Sequence, residues 1–133
     1  MHNVILCTVD FSEGSKDALT YAVRLSKKFK SHITVLYTYR LLTTLDEDPR
    51  EIRTRVEQKA QREYALLEKE VLAGSRVPHD FKIEVGFVSN RVKEFAKANI
   101  IVFLVMSNRM NASSKESFDE LADKVHVPLV IVP

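Results

Sequence analysis

Two short stretches constrain this chain more than any others: VILCTV at residues 4–9, polar only at Thr8, and IIVFLVM at residues 100–106, apolar throughout. Neither alternates, so neither has a face to offer to water, and each reads as a strand buried on both sides. Strands of that kind need helices above and below them, which restricts the chain to a layered α/β architecture. The remaining sequence supplies helices in alternation with further strands. From Ser12, an N-cap residue, Ala18, Leu19, Ala22, Val23, Leu25 and Phe29 recur at helical spacing, with Lys16, Arg24, Lys27 and Lys28 mostly between them. Residues 33–39, ITVLYTY, are β-branched and aromatic and read as the second strand.

Asp48-Pro49-Arg50-Glu51 marks a helix start, with an aspartate cap, proline at the first helical position and glutamate three residues after the cap. Ile52, Val56, Ala60, Tyr64, Leu67 and Val71 then form one apolar stripe that ends before Gly74. Phe81, Ile83, Val85 and Phe87 alternate with Lys82, Glu84 and Gly86, the pattern of a half-buried strand. A short helix with Val92, Phe95 and Ala96 on one side precedes the second apolar run. Ser113 and Glu116 have capping-box spacing ahead of Phe118, Leu121, Ala122 and Val125, and PLVIVP at 128–133 reads as a short strand bracketed by prolines.

Strands alternating with helices predict a doubly wound domain with a parallel five-stranded sheet and helices on both faces. The fully apolar first and fourth strands belong at its centre, and the alternating third and proline-flanked fifth at its edges. The order 3-2-1-4-5 satisfies this. Ligands of open α/β sheets bind where the strand order reverses, here between the carboxyl ends of the first and fourth strands, at Asp10 and Ser107.

At 133 residues and 45% apolar content, the chain is expected to form one domain around one core. Its single cysteine, Cys7, lies inside the first apolar run, which excludes an internal disulfide framework and points to a reducing, cytoplasmic setting. The opening MHNVILCTVD lacks a signal-peptide pattern, and no apolar run approaches the roughly 20 residues of a membrane span, so no membrane partner is expected. With 20 Lys+Arg against 18 Asp+Glu and both signs interspersed, no nucleic-acid partner is expected either. Lys27, Lys28 and Lys30 cluster where a helix C-terminus favours cations. His2, His32, His79 and His126 are scattered without metal-ligand spacing. A nucleophile elbow is absent, and the segments VGFVS and VIVP lack the aspartate and lysine of a phospho-receiver, so no catalytic activity is expected.

The opening NVILCTVDFSEGSKDALTYAVRLSKKFKSHITVLYTY and the close ADKVHVPLVIVP resemble the first strand, helix and second strand and the last helix and strand of the universal stress protein family. The resemblance spans essentially the whole chain. It implies an adenine nucleotide alpha hydrolase-like fold and a small cytoplasmic, usually dimeric protein of the stress response. The family has two branches that differ in adenine nucleotide binding. The binding branch carries G-x2-G-x9-G-[ST] after the fourth strand, where bare backbone amides surround the phosphates. The corresponding stretch here, MSNRMNASSKESFDEL at 106–121, contains no glycine.

Placing the first motif glycine at Ser107 puts the second at Met110 and the terminal pair at Glu120-Leu121, or at Asp119-Glu120 after a one-residue deletion. Side chains at these positions block close approach to the backbone, and the acids repel phosphate. A homodimeric domain without tight ATP binding, with no cofactor, is therefore the expectation. The alternative is a sensor for ATP, ADP or AMP with an altered phosphate loop. For that, Asp10 matches the aspartate that contacts the nucleoside in the family, Thr38 and Tyr39 end the second strand where adenine meets backbone, and Ser107, Ser113, Ser114 and Lys115 offer polar contacts to an anion. The last strand, Leu129, Val130, Ile131 and Val132, is the expected dimer edge. Leu41, Leu42 and Leu45, apolar for a loop, are a candidate docking surface for a protein partner.

Overall fold

At the centre of the molecule β1 (Asn3–Val9) and β4 (Ile100–Ser107) pair in parallel. The computed structural model describes residues 2–41, 46–110 and 116–133. β2 (His32–Tyr39) and β3 (His79–Val85) extend the sheet on one side and β5 (Leu129–Val132) on the other, giving the order β3-β2-β1-β4-β5 with every pair parallel. This is the predicted doubly wound order, and the two strands without a polar face are indeed interior.

α1 (Glu13–Phe29) and α2 (Pro49–Leu67) belong to one core layer, in which Ala18, Leu19 and Ala22 meet Ile5, Cys7 and Val105. α3 (Val88–Ala96) and α4 (Phe118–Lys124) belong to the other, built on Leu6, Leu36, Leu104 and Met106. Along β1 the alternation is thus apolar on both sides: odd-numbered residues serve the first layer and Leu6 the second. A bulge in the β1–β4 register leaves Val102 as the extra residue. It turns consecutive Val102 and Phe103 toward the same layer, where a regular strand would separate them. Cys7 is fully buried, and burial pushes its thiol up to about 12. No helix among the described residues is long and apolar enough to cross a membrane.

Three local expectations change. Phe29 ends α1 half-exposed, its ring edge-on to Phe103 at 5.2 Å, and so lies at the margin of the core. The second helix does not stay α-helical to Gly74: residues Glu68–Leu72 form a π-helical turn, with the Ala73 amide donating to the Glu68 carbonyl at 2.8 Å. A wider turn aligns residues five apart, and it brings Leu72 into the layer that already holds Leu67, with Val71 only partly buried. Third, the last helix starts later than a cap at Ser113 requires. Its N-cap is Ser117, whose hydroxyl accepts from the Glu120 amide at 3.1 Å, and Ala122 is exposed. Ser113 itself lies outside the described residues.

Glu116, assigned by its spacing to that cap, instead reaches α3. Its carboxylate accepts from the Ser89 amide at 3.0 Å and the Ser89 hydroxyl at 2.5 Å, and the Lys124 ammonium stands 3.4 Å away. Ser89 is in the first turn of α3, where backbone amides lack helical acceptors, so the buried carboxylate satisfies donors that would otherwise be orphaned. Burial works to raise the Glu116 pKa, but the Ser89 hydrogen bonds and the Lys124 charge outweigh it and hold the group below its usual value. A depressed folded-state pKa contributes stability above the unfolded value, about 4.3, and loses it as pH falls through the folded value. Glu116→Gln is therefore expected to lower Tm at pH 7, with the gap to wild type closing below about pH 4. A gap that stays constant across that range would assign Glu116 a packing role without an ionic one.

Candidate functional site

The switch point of the sheet lies between the ends of β1 and β4, and both ends are elaborately tied down. After Val9 the Asp10 carboxylate folds back over the first turn of α1. One oxygen accepts from the Ser12 amide at 2.9 Å, from the Ser12 hydroxyl, and from the Ser15 hydroxyl at 3.1 Å; the Asp10 amide donates to the Ser15 hydroxyl, also at 3.1 Å. Ser12 occupies the N-cap position, but its side chain makes no cap bond to the helix. Asp10 instead ties the Ser12 amide and the Ser12 and Ser15 hydroxyls together at the helix start, where the dipole favours a carboxylate.

The intervening Phe11 has a φ of 61°, a left-handed conformation that costs a bulky residue of order 1–3 kcal/mol. Its ring lies 5.1 Å from Tyr37 and 6.2 Å from Phe81, contacts that offset the strain. The ring borders two cavities. One, about 310 Å³, is lined by Asp10, Tyr37, Lys59 and Glu63 among others. The other, about 460 Å³, includes Glu13, Lys16, Glu63 and Glu70, with Lys16 paired to Glu70 at 3.2 Å. Carboxylates outnumber cations in both, so the surroundings of Asp10 disfavour a polyanion. Two like charges 4 Å apart repel by about 1–4 kcal/mol in water-like to surface-like dielectric.

At the end of β4 the first three backbone amides are each engaged within the protein. The Asn108 amide donates to the Val132 carbonyl at 2.9 Å, the Arg109 amide to the Ser107 hydroxyl at 3.0 Å, and the Met110 amide to the Ser107 carbonyl at 3.4 Å. The Arg109 guanidinium pairs with Asp17 and lies 3.8 Å from Glu13, so the loop's own cation is held against α1. Met110 packs over Thr8, whose hydroxyl is 3.8 Å from the thioether sulfur.

Ser107 is completely buried, and its side chain fits only because Gly14 faces it from α1. A Cβ on Gly14 would meet the Ser107 hydroxyl oxygen, lie 2.7 Å from the Ser107 Cβ and 3.2 Å from the Arg109 Cβ. A buried side chain on the strand thus replaces bare backbone, and a bare helix position makes room for it.

Of the other residues expected at the site, Thr38 and Tyr39 do end β2. The Tyr39 carbonyl accepts from the Gly86 amide at 2.9 Å, and its hydroxyl donates to Glu57 at 2.8 Å. Burial, then the Glu57 carboxylate, raises the Tyr39 pKa. The β2 end is therefore bonded to neighbouring elements too. Ser113, Ser114 and Lys115 lie outside the described residues, as do Leu42 and Leu45; Leu41 is half-buried. Sequence reasoning missed Gly14, Arg109 and Glu63. The Asp10-x-Ser-x-x-Ser pattern was a readable local network at the start of α1, whereas the Gly14–Ser107 and Arg109–Asp17 pairs join distant segments and leave no local trace.

The model of the universal stress protein family matches residues 1–133. No curated protein sequence matches this one. Among solved structures, the chain is similar to universal stress protein UspA from Lactobacillus plantarum, with TM-score 0.79 and 18% identity over 99% of this chain and 97% of that one. It is also similar to a universal stress protein in complex with cAMP, with TM-score 0.72 and 13% identity over 99% and 97% of the two chains. The universal stress protein from Archaeoglobus fulgidus in complex with dAMP gives TM-score 0.68 and 12% identity over 100% and 98%.

The contact between Gly14 and Ser107 carries a direct test. Gly14→Ala is expected to lower stability by about 1–3 kcal/mol through overpacking. Adding Ser107→Gly removes the two nearest atoms and is expected to restore most of the loss in a double-mutant cycle read by chemical denaturation. Equal losses in both backgrounds would show that the close approach is not what requires glycine.

Proposed function

This chain belongs to the universal stress protein family, and from that premise we propose that it is a non-catalytic, cytoplasmic domain of the stress response that acts as a homodimer and does not bind ATP tightly. The observation that carries this reading is the engagement of the Asn108, Arg109 and Met110 amides within the protein. A phosphate loop works by presenting amides that have no other acceptor. Here a triphosphate would have to displace existing hydrogen bonds while approaching Asp10, Glu13 and Glu63. The buried Cys7 thiol, raised to about 12, supports the non-catalytic part, since the thiolate is the nucleophile and at neutral pH almost none exists.

The dimer reading rests on β5. Bonds run from the Leu104 amide to the Pro128 carbonyl and from the Asn108 amide to the Val132 carbonyl, so even-numbered residues of this strand face β4. In a parallel ladder the bonding residues alternate, which turns the backbone groups of Leu129 and Ile131 to the open edge. A second copy related by a two-fold axis could pair there through those residues, with Val130 and Val132 contributing to the hydrophobic layer beneath. A protein partner of the dimer would dock at the half-buried Leu41 region.

A second reading is favoured by one specific observation. Two solved relatives hold cAMP and dAMP, each with a single phosphate. The cavity beside Asp10 offers a carboxylate for ribose hydroxyls and the Tyr37 ring for a base, and a monophosphate meets less repulsion there than a triphosphate. This sensor reading ranks AMP and cAMP above ADP and ATP.

Calorimetric titration with ATP, ADP, AMP and cAMP, with magnesium and alongside thermal unfolding, separates the two. The expected result is no saturable heat and no shift in Tm with ATP. A dissociation constant near 10 μM would add about 2.7 kcal/mol of stability at 1 mM ligand and would overturn the main proposal. Binding of the monophosphates alone, abolished by Asp10→Ala, would establish the sensor. Ile131→Pro removes an outward amide while sparing the β4 ladder, and is expected to convert dimer to monomer in light scattering; a dimer that survives it uses another surface.

A further inference from the structure

On the face of the sheet that carries α3 and α4, the helices do not reach across β3. Lys82 and Glu84 alternate onto that face, and between them and the flank of α3 lies a groove of about 250 Å³. Leu6 and Leu36 form its floor and Phe95 one wall; Arg91 and Glu94 project from α3. Its residues are remote in the fold from the Asp10 cavity, which lies on the α2 side.

The charges of this groove are unevenly matched. Glu94 is tied to Lys97 at 2.9 Å and held below its usual pKa by that hydrogen bond and charge. Farther along the same face of β3, Asp80 accepts from Thr34 at 2.7 Å and lies 2.7 Å from His32. The cations are matched less closely, the Arg91 charge acting on Glu94 without a hydrogen bond. Among the described residues neither Lys82 nor Arg91 makes an ion pair; Lys82 stands 5.8 Å from the centre of the Phe95 ring, and the Arg91 Nε is buried without an acceptor. A guanidinium is always charged and only donates, so each of its N–H groups needs an oxygen acceptor, and a small shift of the side chain would bring the planar donor edge to one lying in the groove. Burying such a donor unpaired is unfavourable, which makes an acceptor at this place stabilising.

We infer that the groove beside α3 binds a small organic monocarboxylate, its oxygens received by Arg91 and Lys82 and its short apolar chain lying on Leu6, Leu36 and Phe95. A carboxylate fits the planar donor edge of a guanidinium. Glu84, the groove's remaining acid, disfavours a second negative charge and so discriminates against dicarboxylates and phosphate. The volume lies just under the roughly 300–1,000 Å³ of sites for drug-sized ligands, which suits a chain of a few carbons. This assignment is independent of whether a nucleotide binds near Asp10.

The test is heteronuclear NMR of the intact protein titrated with sodium hexanoate, hexylamine and succinate, following backbone amides and the Arg91 Nε–Hε resonance. Hexanoate is expected to give saturable shifts at Arg91, Lys82 and Leu36, with succinate and hexylamine much weaker. Arg91→Lys, which keeps the charge but loses the planar donor edge, is expected to weaken hexanoate about tenfold, and Lys82→Met to weaken it by a smaller factor with unchanged amide dispersion. The inference is overturned by the absence of saturable shifts at these residues, by equal binding of hexylamine or succinate, or by undiminished binding to well-folded Arg91→Lys.

Discussion

Everything else in this structure depends on two adjacent strands that cannot face water. β1 and β4 are apolar on both sides, and the free energy of keeping them dry requires a helical layer on each face of the sheet. Burying a single large aliphatic side chain is worth about 1.5–3 kcal/mol, and Ile5, Leu6, Leu104 and Val105 are all completely buried. Once α1 and α2 lie on one side and α3 and α4 on the other, the chain must reverse its winding direction between β1 and β4. The crevice at that reversal is a consequence of core formation, present whatever the loops around it contain.

What those loops contain has turned the crevice inward. In a phosphate site the strand-to-helix connections keep amides unpaired and side chains absent. Here Asp10 spends its carboxylate on the first turn of α1, Ser107 fills the space left by Gly14, and the following amides bond to β5 or to Ser107 itself. Arg109, a cation of the loop after β4, is paired with acids of α1. Each of these is an ordinary stabilising interaction, and under the proposed reading together they stand in for a ligand's contacts. The same substitution occurs at α3, where the Glu116 carboxylate takes the place an external anion would have at a helix start.

Much of the architecture could be read residue by residue. The Asp48-Pro49 start appeared as drawn, with the Asp48 carboxylate accepting from the Arg50 amide at 2.9 Å, because a cap is a contact between neighbours in sequence. The edge position of β3 followed from its alternation and that of β5 from its prolines. Readings failed where a distant partner outbid a local one. Glu116 has the spacing to serve a cap at Ser113 but bonds Ser89, and the last helix begins at Phe118 under the Ser117 cap. The period of α2 breaks into a π turn because Leu72 is drawn into a core layer no helical repeat anticipates.

The sequence by itself determined the strands and helices, their order in the sheet and the absence of glycine after β4, since periodicity, caps and composition act over a few residues. Only the tertiary structure decided which polar groups would be satisfied. Arg109 and Asp17 are 92 positions apart, and Thr8 and Met110 are 102 apart. Whether such groups meet depends on the stacking of layers, at distances where hydrogen bonds and charges gain or lose most of their energy within an ångström or two. That is why the loop's missing glycines were visible in the sequence, while the engagement of its first three amides, the fit of Gly14 against Ser107 and the unmatched donor of Arg91 emerged only when the chain had closed around its two dry strands.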